Sequence, residues 1–210
     1  PERNKNQQAP TGFSYWDSQN GFDIYRNDHF VPMGFTYDAF LTQNQFDNIA
    51  SHYRDKILLR GMLLSDEDIY QYSDVLGILP VLTDEEIGLE RQNDADYFED
   101  CDARAAQAVD SFTYGSYGFQ SSITLEQANL VFFSVPYVAG WSATVNGKPV
   151  DIVKANIGFM AVLCEEGENV IQFTYHTPGL TAGIVISLAA LALWIVYLWL
   201  VRRWRKKHPE

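Results

Sequence analysis

Two cysteines, four histidines and a complete lack of charge between residues 180 and 201 set the first limits on this 210-residue chain. Cys101 and Cys164 lie far apart and form no C-x-x-C. An oxidising exterior would let them pair, yet each sits in an apolar setting that suits a buried free thiol. His29, His52, His176 and His208 are scattered singly, and none stands at metal-ligand spacing. No G-x-S-x-G, H-E-x-x-H, P-loop or G-x-G-x-x-G occurs. Asp28-His29 is a dyad in a turn, and no nucleophile can be assigned a base and an orienting partner. The residues themselves encode no active site, no metal site and no cofactor motif.

Bases are also scarce. The chain has 15 Lys+Arg against 27 Asp+Glu, and residues 202–210 hold five of those bases with one acid, leaving −16 on residues 1–201. A body so acidic is unsuited to nucleic acid, whose phosphates call for clustered Lys and Arg. Nine carboxylates crowd residues 84–102 against Arg91 alone, without the D-x-D-x-D-G spacing of a calcium loop. They read as a solvated helix face. Aromatics at 14% and hydrophobics at 47% are ample for a packed core, which excludes wholesale disorder.

The longest feature present is the uncharged run LTAGIVISLAALALWIVYLWLV, Leu180 to Val201. As a helix its 22 residues reach roughly 33 Å, enough to cross a bilayer's hydrocarbon core. Arg202, Arg203, Arg205, Lys206 and Lys207 follow at once, and such a cluster beside a span marks the cytoplasmic side. Trp194, Tyr197, Trp199 and Trp204 gather at the same end as an interfacial belt. The expected topology has residues 1–178 outside a cell membrane and the C-terminus inside. A tail-anchored protein with its body in the cytosol is the alternative, and it would place the basic cluster outside. The chain opens on Pro1 with no apolar signal region, so upstream membrane segments or a signal are expected. The sorting pentapeptide LPxTG is absent, so the helix is expected to persist in the mature protein.

Ahead of the span the texture is α+β. Residues 1–20, polar and Asn/Gln-rich, read as a linker or frayed edge. Phe22–Arg26 and Phe30–Tyr37 read as short strands around the turn Asn27-Asp28. Thr42-Gln43-Asn44-Gln45 has capping-box spacing, and Phe46, Ile49, Ala50, Tyr53 and Ile57 follow as one helical stripe. Ser65 to Asp68 and Thr83 to Glu86 offer two further caps. The second leads to a helix with the apolar face Tyr97, Cys101, Ala105, Ala108 and Phe112. After Gly115, six segments read as strands: 118–125, 130–135, 141–145, 149–153, 158–164 and 169–175. Asn146-Gly147 supplies a hairpin turn in which both residues tolerate positive φ. The sum is an antiparallel β-sandwich of jelly-roll or immunoglobulin-like kind. Expected boundaries are 21–114 for a mixed α/β region, 115–178 for the sandwich, 180–201 for the span and 202–210 for a basic tail. Tyr137 and Trp141, after Pro136, fit either a stacking platform for a sugar or headgroup, or the sandwich core, where a strand-start Trp more often packs.

Three stretches, FDIYRNDHFVPMGFTYD (22–38), LVFFSVPYVAGWSATVNGKPVDIVKANIGFMAV (130–162) and NVIQFTYHTPGLTAGIVISL (169–188), resemble the C-terminal part of the YfhO family of bacterial membrane proteins. The likeness covers most of residues 20–200 and is faintest over 84–115. It implies a GT-C-like glycosyltransferase: an array of membrane helices, an extracytoplasmic domain and a closing helix. The implied reaction moves a sugar from a polyprenyl-phosphate donor to a cell-envelope polymer. Catalytic carboxylates of that class lie near the N-terminus of the enzyme, so no catalytic residue carries over to this chain. Implied partners are the lipid bilayer, the upstream transmembrane domain, the lipid-linked sugar and the envelope polymer. A single-span glycan- or protein-binding module without enzymatic activity is the competing expectation.

Overall fold

The computed structural model describes residues 9–76, 79–89 and 94–207. It divides into two compact units, Pro1–Thr174 and Tyr175–Glu210.

The first unit begins with a hairpin where a linker was expected. β1 (Phe13–Gln19) pairs antiparallel with β2 (Phe22–Asn27). The turn residues Asn20 and Gly21 have φ of 51° and 82°, the pairing of types that a tight hairpin turn demands. Alternating aromatics at Phe13 and Tyr15 and the Asn-Gly dipeptide are strand signals that outweigh the polar composition of the segment. The expected strand 30–37 shrinks to β3 (Gly34–Thr36).

A helical layer follows. β4 (Phe40–Leu41) and β5 (Met62–Leu63) form a two-stranded parallel pair. Between them run α1 (Gln43–Asn48), a 3₁₀ turn (Ser51–Tyr53) and α2 (Arg54–Arg60). The Thr42–Gln45 capping box is present. The single helix expected over 46–57 is broken, because Ile49 and Ala50 adopt ψ of 134° and 135°. Phe46 and Ile57 still reach the same core. Next come α3 (Asp66–Gln71), capped by Ser65, α4 (Ser73–Leu76), α5 (Asp84–Leu89) and α6 (Asp94–Ala106). Thr83 and Glu86 exchange the expected reciprocal bonds. Helix α6 stops at Ala106, so Ala108 and Phe112 leave its predicted face: Ala108 bridges Phe35, and Phe112 lies in β6 (Ser111–Gly115).

The sandwich is built from β6, β7 (Gly118–Leu125), β8 (Asn129–Pro136), β9 (Trp141–Val145), β10 (Lys148–Val150), β11 (Val153–Ala155), β12 (Phe159–Cys164) and β13 (Gly167–Tyr175), with β3. One sheet has the order β10-β9-β13-β7-β6 and the other β11-β12-β8-β3. The run 149–153, expected as one strand, splits between them. Val150 ends β10 and Val153 begins β11, so Asp151-Ile152 carries the chain from one sheet to the other. The crossing buries Val153 and Ala155 in one core while Val150 and Ile152 pack against another.

Strand β8 explains why the layers cohere. Val131 and Phe133 point between the sheets, where Ile123, Met160, Ile171 and Phe173 meet them. Leu130 and Phe132 point the other way, onto Phe35, Tyr37, Phe40, Met62 and Leu64. A strand buried on both faces reads as a continuous apolar run, which LVFF is. Phe35, Tyr37, Phe40, Met62, Leu64 and Leu76 therefore cover the second sheet, and Gly34–Thr36 is one of its strands. A buried polar network ties the layers: Asn156 donates to the Tyr37 hydroxyl (2.8 Å), accepts from Leu63 N–H (2.8 Å), and Tyr37 donates to the Leu58 carbonyl (2.6 Å). The chain is thus an α+β protein with an antiparallel sandwich.

The second unit holds α7 (Leu180–Lys207), whose 28 residues carry no buried side chain. The helix runs on past the expected end at Val201 and takes in the basic cluster. Lys and Arg are good helix formers and suit the negative end of the helix dipole. At 1.5 Å per residue it is about 42 Å long.

Candidate functional site

Two depressions of about 500 and 410 Å³ adjoin on one flank of the first unit and share Gln71, Tyr72, Pro149, Val150 and Asp151. Together they make one groove. Its floor is the β9–β10 hairpin and the sheet-crossing residues; its wall is the junction of α3 and α4. Asp68, Tyr137 and Trp141 line one arm, and Lys148, Glu165 and Asn169 line the other. The residues expected as a platform thus open onto one cavity, but they are not equivalent. Trp141 also packs edge-on against Phe119 (5.8 Å) and Phe173 (6.2 Å), so it serves core and groove together. Tyr137 is exposed, held by its backbone N–H on the Gly158 carbonyl at 2.8 Å.

Tyr72, Gln71 and Asp151 did not stand out in the sequence, and Asp68 did so only as the partner of the Ser65 cap. Asp151 had a signal: a carboxylate inside the apolar run PVDIV, at the point where the strand splits. Tyr72 sits at the waist of the groove. Burial first, then the Asp151 and Asp68 carboxylates, raise its pKa above the ordinary tyrosine value, so its hydroxyl remains a proton donor at neutral pH. The amides of the far arm are engaged internally: Asn169 donates to the Glu165 carbonyl (2.7 Å) and Asn146 accepts from Val170 N–H (2.8 Å). They shape the groove, and Asp68 accepts from the Ser65 hydroxyl at 2.5 Å; Gln71, Tyr72, Tyr137, Asp151 and Glu165 complete the lining. Aromatic faces beside acceptor carboxylates suit a neutral, hydroxyl-rich molecule, and three acids against Lys148 disfavour a phosphate.

His29 turns from its neighbour Asp28 to Asp102, at 2.9 Å, and stacks on Phe98 at 4.3 Å. Cys101 and Cys164 are both free and buried. Burial raises both thiols, Cys164 to about 12, so neither is an activated nucleophile. Among the described residues no three His, Cys, Asp or Glu side chains converge on a metal position. Arg91 and Glu90 of the acidic stretch, and His208, lie outside the described residues.

Along α7, Trp194, Tyr197 and Trp204 share one stripe, and Trp199 lies on another beneath Arg203, whose guanidinium is 5.1 Å from its ring. Arg202, Arg205, Lys206 and Lys207 are exposed, as are all four aromatics.

An antiparallel sandwich backed by a helical layer, followed four residues after β13 by a helix long and apolar enough to cross a bilayer, defines a membrane-associated α+β protein. The family model described as "Bacterial membrane protein YfhO" matches residues 80–187, just over half of the chain. The chain belongs to that family. It is similar to "Uncharacterized protein YfhO" of Bacillus subtilis (strain 168), at 28% identity over 103 residues, 49% of this chain and 11% of that relative's length. The family match takes in 84–115, where the motifs are faintest to the eye, and stops short of 22–38. No solved structure matches.

Proposed function

We propose that this chain is the extracytoplasmic C-terminal module and closing membrane helix of a polytopic, GT-C-like glycosyltransferase. The module makes no bond itself; its groove holds a glycan against the reaction carried out by the membrane part. The parent transfers sugar from a polyprenyl-phosphate donor to a cell-envelope polymer. What supports this is the groove itself, in which Tyr72, Tyr137 and Trp141 meet Asp68 and Asp151. The basic end of α7 sits in the cytoplasm and the sandwich outside, on the charge asymmetry of the span.

The test is paired. Purified chain 1–210 is offered lipid-linked sugar donors and, separately, neutral oligosaccharides from the cell envelope. Binding of the oligosaccharides, weakened by Tyr72→Phe or Tyr137→Ala, with no sugar transfer, is the expected result. Turnover by this chain alone would overturn the non-catalytic role, and absence of any saccharide binding would overturn the groove. A single-span glycan-binding module is the second reading the groove favours. It parts from the first in the protein as its cell makes it: Tyr137→Ala lowers sugar transfer under the first reading, and there is no transfer to lower under the second.

A further inference from the structure

The sandwich has two unlike ends. Strand register brings three turns to the end toward which β13 runs: Gly118 pairs with Thr174, Phe159 pairs with Pro136, Tyr137 N–H bonds the Gly158 carbonyl, and the Ser142 hydroxyl bonds the Thr174 carbonyl. These turns are 115–118, 137–140 and 156–158, reading GSYG, YVAG and NIG, without one charged residue. The opposite end, at 126–128, 146–148 and 165–166, carries Glu126, Lys148, Glu165 and Glu166. These uncharged turns are also the greasy ones. Tyr117 is 77% exposed and Ile157 63%, beside Tyr114 at 83%, Val138 at 48% and Tyr137 at 43%.

Two backbone features hold those side chains out. A Cβ at Gly118 would lie 1.9 Å from the Phe173 carbonyl oxygen, so the chain can approach there only as glycine, and the Ser116-Tyr117 turn is pinned. Ile157 has φ of 74°, a conformation that a β-branched residue adopts only at a cost in strain. Asn or Gly would serve the turn better, and an apolar residue kept in a strained, exposed position points to something it touches. The occupant follows from the chain. From Thr174 to Leu180 is six residues, which span at most about 20 Å when fully extended. These turns are thus tethered within reach of the interfacial layer that α7 must pass through, where Tyr is favoured.

We propose that the three turns form a lipid-contact surface that seats the body in the headgroup layer of the leaflet α7 enters. The proposal rests on α7 spanning the bilayer. The charged end then faces water, and the groove, whose near arm includes Tyr137, opens beside the lipid.

The experiment places one nitroxide on an introduced cysteine of the full chain in phosphatidylcholine–phosphatidylglycerol vesicles. Collision with oxygen is compared with collision with a water-soluble nickel chelate. Positions are Ser116→Cys and Ala139→Cys on two of the turns, Glu166→Cys at the far end and Ala189→Cys in α7; native Cys101 and Cys164 are buried. Expected is an oxygen-to-nickel ratio at 116 and 139 several-fold above that at 166 and below that at 189. Ratios at 116 and 139 equal to 166, with 189 in lipid, would overturn the contact surface alone. A watery 189 would overturn the spanning helix and the surface with it. Shielding of 116 and 139 from both reagents would mean that protein covers these turns, and would overturn the lipid assignment.

Discussion

At the scale of single residues, Trp141 and Tyr137 share a groove and differ in what removing them does. Trp141→Ala strips an indole from Phe119 and Phe173, and it is expected to cost about 3 kcal/mol in urea unfolding, the low end for a large aromatic since the residue is not fully buried. Tyr137→Ala leaves the unfolding midpoint unchanged while saccharide binding falls. A large loss of stability from Tyr137→Ala would place that ring in the core instead. Cys164 gives a pH signature. Its thiol is pushed by burial alone from an ordinary 9.0 to about 12. The unfolded thiol ionises from pH 9 upward while the folded one holds its proton, so its contribution is intact below about 9 and is lost as pH climbs toward 12. The stability difference between the parent and Cys164→Ala should shrink across that window. Parallel stability curves would show that the thiol is not held as the burial implies.

At the scale of elements, what could be read in the sequence was local. Gly118–Leu125 and Trp141–Val145 lie where alternation puts them, and Asn146-Gly147 turns with φ of 52° and 76°. The Thr42 capping box and the apolar span needed no partner to be seen. What escaped notice depends on distant chain. The strand expected over 30–37 is cut to Gly34–Thr36 because only those residues pair with Phe133, Phe132 and Val131, nearly a hundred residues away. The run 149–153 breaks because two separate cores draw on it, which no periodicity reveals. Tyr72 enters the groove only because α3 and α4 pack over the β10–β11 crossing. Helix α7 carries its own prediction from the one-sided placement of its bases. In intact cells, an impermeant thiol reagent should modify Glu166→Cys and spare Lys206→Cys. The opposite pattern would reverse the topology.

At the scale of the whole body, β8 fuses what looked like two regions. A fragment of residues 110–178 would bare Leu130 and Phe132 and lose β3 from the sheet edge. It is expected to give no dispersed amide spectrum, whereas residues 9–174 unfold in one transition. A stably folded 110–178 would show that the helical layer is an accessory. Strand β13 matters differently at this scale. It is the middle strand of its sheet, flanked by β9 and β7, and its C-terminal end is the one that leads to α7. A pull that reaches the body through residue 175 therefore meets a strand gripped on both sides. The hydrogen bonds of two ladders must give way together, not one after another as at an unzipping edge. The body is built to hold fast at the strand where the chain leaves it.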